Sequence, residues 1–225
     1  MRTRFDEQLG QLNNELIIMG DLCEEAINNV VSALVEDEET RLKKVFKIET
    51  KIDAQEKNIE SLCMKLLLQQ QPVARDLRTI SSALKMISDM ERIGDQACDI
   101  AELVKYINHN KSAKTNNLHA MKHIEEMSNA TINMVTDSVD SFVKHDLEMA
   151  KKVLLEDDVV DNLFCEVKQD LIEIMVRDKT TSEFCLDLLM IAKYLERIGD
   201  HATNIAEWVI YAITGEHKSF MMEKG

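Results

Sequence analysis

The peptide Glu91-Arg92-Ile93-Gly94-Asp95 returns as Glu196-Arg197-Ile198-Gly199-Asp200. The correspondence continues through residues 96–102 and 201–207 at a constant offset of 105, with nine of the twelve paired positions identical. Solenoid repeats have periods of roughly 20–50 residues, so an offset this long marks the duplication of a unit of domain size. The chain must therefore build one supersecondary unit twice, and whatever the acidic motif does is done twice.

The repeated unit is helical. One proline and six glycines are few for 225 residues, and aromatics make up only 4%. Leu, Ile, Met, Ala, Glu and Lys carry the chain, a composition that favours helices over strands. Phe5, Leu9, Leu12, Leu16, Met19, Cys23, Ala26, Val30 and Ala33 step by fours and threes, the seam of a long bundle helix. After an acidic turn at residues 36–39, Val45, Ile48, Ile52, Ile59, Leu62 and Leu66 form a second seam that ends near Pro72, where proline stops one helix and opens the next. Ile80, Leu84, Ile87, Ile93, Ala97, Ile100 and Val104 supply a third.

Apolar periodicity then lapses, and residues 109–117 read as a linker between a first unit, 1–108, and a second, 118–225. Met121, Ile124, Met127, Val135, Val139 and Phe142 mark a fourth helix, and Val153, Val160, Val167, Leu171 and Met175 a fifth. Leu186, Leu189, Leu195, Ile198, Ile205 and Val209 mark a sixth, with Thr180-x-x-Glu183 in capping-box spacing to start it. Setting Met19 against Met127 also aligns Ile52-Asp53 with Val160-Asp161. The expected architecture is all-α, two tandem, duplicated three-helix bundles, each able to close around its own core.

A formal charge of −14 repels phosphate backbones and attracts cations, which excludes nucleic acid as a natural ligand and points toward metals. No segment approaches the roughly eighteen uninterrupted apolar residues of a membrane span, and residues 1–7 lack the apolar stretch of a secretory signal, so a cytoplasmic location is expected. Cys23, Cys63, Cys98, Cys165 and Cys185 form no Cys-x-x-Cys pair and read as small buried hydrophobes.

At about 100° per residue, Glu91, Asp95, Asp99 and Glu102 share an arc of roughly 80° beside the apolar arc of the third helix. In the sixth helix Glu196, Asp200 and Glu207 keep the stripe and Asn204 replaces the third acid. Like charges at i and i+4 cost about 0.2–0.5 kcal/mol per pair, so something cationic should relieve them. The second helix adds Glu49-x-x-x-Asp53 and the fifth its counterpart, Asp157-x-x-x-Asp161. Facing stripes of this kind make a hard anionic site suited to magnesium, manganese or iron, and to zinc where geometry allows. Gly94 and Gly199, costly inside helices, suggest close helix approach or room for a ligand.

A ferritin-like di-iron centre normally needs Glu-x-x-His, and none of the six histidines has a glutamate three residues before it. His201 lies by angle on the solvent side of the stripe and reads as a bystander, and Arg75, Arg78, Arg92 and Arg197 read as solvated helix arginines. Without a phosphate loop, a Cys/His zinc spacing or a nucleophile–base pair, the sequence does not argue for an enzyme.

The run Pro72-Val73-Ala74-Arg75-Asp76-Leu77-Arg78, together with the two acidic motifs, resembles the PhoU family of bacterial phosphate-signalling proteins over nearly the whole chain. That resemblance implies a cytoplasmic, homodimeric regulator that couples a Pst-type ABC phosphate transporter, through its ATPase subunit, to a PhoR-type sensor histidine kinase. It implies negative regulation of the phosphate-starvation response, and a membrane reached only through these partners. It also implies multinuclear metal clusters, of iron, zinc, manganese or magnesium, on the acidic motifs. By position the first would use Glu49, Asp53, Glu91, Asp95 and Asp99, and the second Asp157, Asp161, Glu196 and Asp200. With Asn204 in place of an acid, weaker metal retention is expected in the second half. A metal buffer without a signalling partner, and a helical adaptor with solvated acids, share the same sequence features.

Overall fold

The seams read from the sequence resolve into six long helices in a computed structural model, which describes residues 2–36, 38–70, 72–109 and 118–216. They are α1 (Arg2–Glu36), α2 (Glu39–Gln70), α3 (Ala74–His109), α4 (Leu118–Lys144), α5 (Leu147–Arg177) and α6 (Ser182–Thr214), with a 3₁₀ turn at Lys179–Thr181 and no strand among the described residues. Pro72 falls between α2 and α3, where it interrupts no helical hydrogen bond. Residues 110–117, most of the expected linker, and Asp37 of the expected acidic turn lie outside the described residues.

Each half is a three-helix bundle in which every helix packs on the other two. The halves do not close independently. The helix α3 lies along α6 and α1 along α4, so these four form the inner layer while α2 and α5 flank it, and one cluster of buried apolar residues runs through both halves. Asp89 pairs with His201 and Tyr106 with Glu183, so residue numbers rise along α3 as they fall along α6, and the two helices run antiparallel. Sharing a core lets each short bundle bury a second face, and each apolar side chain fully removed from water contributes about 1.5–3 kcal/mol.

Three local expectations change. The α6 start is not a capping box. Asp178 ends α5 and caps the 3₁₀ turn, accepting from the Thr180 backbone N–H at 2.9 Å and its hydroxyl at 2.7 Å, while Thr181 at the N-cap makes no side-chain cap bond. Glu183 is engaged elsewhere, accepting from the Tyr106 hydroxyl at 2.6 Å. Leu186 is 54% exposed, because it stands half a turn round the helix from Leu195, and Cys185 and Leu188 take the buried positions. Cys23, Cys63 and Cys185 are buried, but Cys98 is only partly so and Cys165 is exposed, on the outer face of a flanking helix.

Candidate metal centre

The helices α2 and α3 are held at short range by one side chain. A Cβ placed on Gly94 would lie 3.0 Å from Ile52 Cδ1, so α2 seats its Ile52 directly on the glycine of the acidic motif. Close approach, rather than room for a ligand, is what Gly94 provides. Ile52 is fully buried and its neighbour Asp53 is carried to the edge of the α2–α3 contact.

There Glu49 and Asp53 meet Glu91 and Asp95. Burial raises the Glu49 carboxyl above the usual range, and Asp53 and Asp95 raise it further. Burial likewise raises Glu91, with Asp95, Glu56 and Asp53 adding and only Arg92 opposing. Glu56, which the sequence reading missed, belongs to the same group: burial, Glu60, Asp53 and Asp95 raise it against Lys57. It stands two turns after Glu49 on the same face, a heptad spacing that was there to be read. No Lys or Arg forms an ion pair with these five carboxylates among the described residues. Cys98, at the rim, is a poor thiolate donor: burial, and then Glu49, Asp95, Asp99 and Glu102, push its thiol up to about 12.

The second half repeats the plan with different surroundings. Burial raises Asp157, joined by Asp161, Asp200, Asp158 and Glu196. Burial and Glu196 raise Asp200, and Lys193 opposes them. The Lys193 ammonium touches a Glu196 carboxylate oxygen and lies 5.6 Å from the centre of the Phe164 ring. Lys193 and Phe164 were not singled out by the sequence reading. Gly199 is less tightly covered than Gly94, Val160 Cγ1 lying 3.5 Å from a Cβ placed there.

Asp99 sits at the seam between the halves. Its carboxyl is raised by burial, Glu102 and Asp95, while Arg197 and the Tyr194 hydroxyl on α6 favour its charge. Arg197 is accordingly not a bare solvated arginine. The pseudo-equivalent contacts run the other way across the seam: Asp89 Oδ1 lies 2.9 Å from His201 Nδ1 and accepts from Asn204 Nδ2 at 3.2 Å. The His201 side chain is only 19% exposed, so it faces the α3–α6 seam rather than solvent.

Among the described residues, no three His, Cys, Asp or Glu side chains are already gathered around a single point as metal ligands. The donor chemistry of the first group nevertheless fits hard divalent ions: five half-buried or rim carboxylates on two helices, mutually repelling, opposed by Arg92 at Glu91 and Lys57 at Glu56 but ion-paired to no lysine or arginine among the described residues. Because the folded-state pKa values of Glu49, Glu56 and Glu91 lie above the ordinary glutamate value, folding takes up protons just above that value. Metal-free protein should therefore gain stability as pH falls from 7 toward the ordinary glutamate range. The gain is complete below the unfolded-state value, and the penalty is fully present above the folded-state values. Urea titrations from pH 7 to 5 on chelator-treated protein check this, and a stability that falls over that interval would contradict it.

Comparison with known proteins places these features. The family model described as the PhoU domain matches residues 16–104 and again 124–209. A phosphate-specific transport system accessory protein PhoU homolog of Clostridium acetobutylicum is 38% identical over 216 residues, covering 96% of both chains. The crystal structure of PhoU from Pseudomonas aeruginosa superposes with a TM-score of 0.86 at 31% identity, over 94% of this chain and 100% of that one. That of the phosphate transport system regulatory protein PhoU from Streptococcus pneumoniae gives 0.81 at 25% identity, over 94% of this chain and 98% of that one.

Proposed function

The chain belongs to the PhoU family, and from that premise we propose that it is a metal-holding regulator of phosphate uptake. As an accessory protein of a phosphate transport system, it acts on the transport machinery through its helical faces rather than by turnover of a substrate. In the finer reading it works in the cytoplasm as a homodimer. It docks the ATPase subunit of an ABC phosphate transporter and a sensor histidine kinase, and restrains the phosphate-starvation response while phosphate is plentiful. Binding one partner state in preference to another shifts its population, and coupling of this kind needs no bond chemistry.

The observation that carries the metal part is the recurrence of facing acidic pairs, Glu49 and Asp53 with Glu91 and Asp95, and Asp157 and Asp161 with Glu196 and Asp200, at two helix contacts of one fold. A metal ion bound there would supply positive charge between helices that otherwise repel. The residues themselves orient the oxygens and exclude part of the solvent. Protein purified without a metal-affinity tag is expected to carry bound metal by elemental mass spectrometry, and Asp95→Ala/Asp200→Ala to lose it. Wild-type protein that is metal-free and also refuses added Mn²⁺, Fe²⁺ or Zn²⁺ would leave the adaptor reading. That reading is favoured by the absence of a ready three-ligand group among the described residues.

A further inference from the structure

The two acidic groups are not electrostatic copies, and the difference lies in two substitutions between the repeats. The offset of 105 that aligns Asp95 with Asp200 sets Lys193 where the first half has Ser88. The offset of 108 that aligns Asp53 with Asp161 sets Phe164 where it has Glu56. Among the described residues no lysine is ion-paired to the five carboxylates of the first group, whereas in the second, where Asp157, Asp158, Asp161, Glu196 and Asp200 gather, Lys193 is ion-paired to Glu196. Ser88 is exposed, so the first half has room for a lysine that it lacks.

Lys193 is built into the second group. Its Nζ contacts Glu196, whose side chain is 16% exposed, and rests over the face of Phe164, the residue that removed an acid. An ammonium over an aromatic face is attracted by the ring quadrupole, so Phe164 in the place of Glu56 both leaves out an acid and seats a cation.

We infer that Lys193 is the resident cation of the second acidic group, and that it and Phe164 make the two halves hold metal unequally, the first half tightly and the second weakly. The inference rests on the reading of the acidic groups as metal sites. The asymmetry stems from the position of Lys193 rather than from Asn204, which is turned toward Asp89 across the seam.

Manganese(II) titrated into chelator-stripped full-length protein, followed by calorimetry and by the loss of the free-ion spin-resonance signal, separates the possibilities. Asp95→Ala isolates the second group. Adding Lys193→Ser to it is expected to tighten Mn²⁺ binding roughly tenfold or more, the scale on which groups around the ligands act, whereas Lys193→Arg should leave it weak. Conversely, Ser88→Lys should weaken binding by the first group on a similar scale while raising the thermal midpoint of metal-free protein. Wild-type binding in the first half with no change on Lys193→Ser, or with weaker binding, overturns this inference alone. Absence of Mn²⁺ binding from wild type and every variant overturns it together with the metal reading. Circular dichroism confirms that each variant keeps its helices.

Discussion

Manganese(II) at about a hundred times its dissociation constant should stabilise chelator-treated protein by about 2.7 kcal/mol, which for a chain of this size is roughly 5–10 °C in thermal midpoint. Asp53→Asn/Asp95→Asn should abolish that gain. The same double variant should make the metal-free protein more stable than wild type, because it removes two charges from a group in which burial and mutual repulsion already raise Glu49, Glu56 and Glu91. Opposite effects of one variant, positive without metal and negative with it, distinguish a binding site from a structural acid cluster. Thermal unfolding followed by circular dichroism, with chelator and then with excess Mn²⁺, measures both. A double variant less stable than wild type under chelator would mean that the carboxylates hold the fold together rather than strain it.

Much of this molecule could be read from residue order because helices declare their buried face by period. The α1 seam from Phe5 to Ala33 and the α2 seam from Val45 to Leu66 are buried or packed on the core. Less legible was how the faces meet across the seam. Angular position on a helix says which residues share a face, not which neighbour that face meets, and α3 has both α2 and α6 beside it. Asp99 lies about 80° round from Glu91, which turns it away from α2 toward the seam with α6. The burial of His201 against Asp89, and the pairing of Asn204 with the same acid, required knowing that the two halves share a core. Lys193 was hidden differently. It lies outside the run of identity between the repeats, and its role appears only when two offsets, 105 for α3 on α6 and 108 for α2 on α5, are combined in three dimensions. The three-residue difference lies between the aligned acids, chiefly in the start of the last helix of each half: α3 begins at Ala74, 17 residues before Glu91, and α6 at Ser182, 14 residues before Glu196.

Ile52→Ala should destabilise the protein by about 2–5 kcal/mol, the range for emptying a fully buried aliphatic position, and should also weaken metal binding in the first half. Ile52 is 0% exposed and rests on Gly94, so its side chain sets the spacing at which Asp53 faces Asp95. The glycines supply the control. Alanine inside a helix is favoured over glycine by about 1 kcal/mol, and at Gly199 the new methyl would meet Val160 at an ordinary 3.5 Å, so Gly199→Ala should keep most of that gain. At Gly94 it would meet Ile52 Cδ1 at 3.0 Å, and the repulsion should cancel the gain and push α2 outward. Ile52→Val removes that Cδ1 atom, so the pair Gly94→Ala/Ile52→Val should be more stable than the sum of its single effects by about 0.5 kcal/mol or more. Urea unfolding of the four proteins closes the cycle. If Gly94→Ala stabilises as much as Gly199→Ala and shows no coupling to Ile52, the glycine of the first motif does not set the distance between the acidic faces. The geometry of the site would then have to come from the helix ends instead.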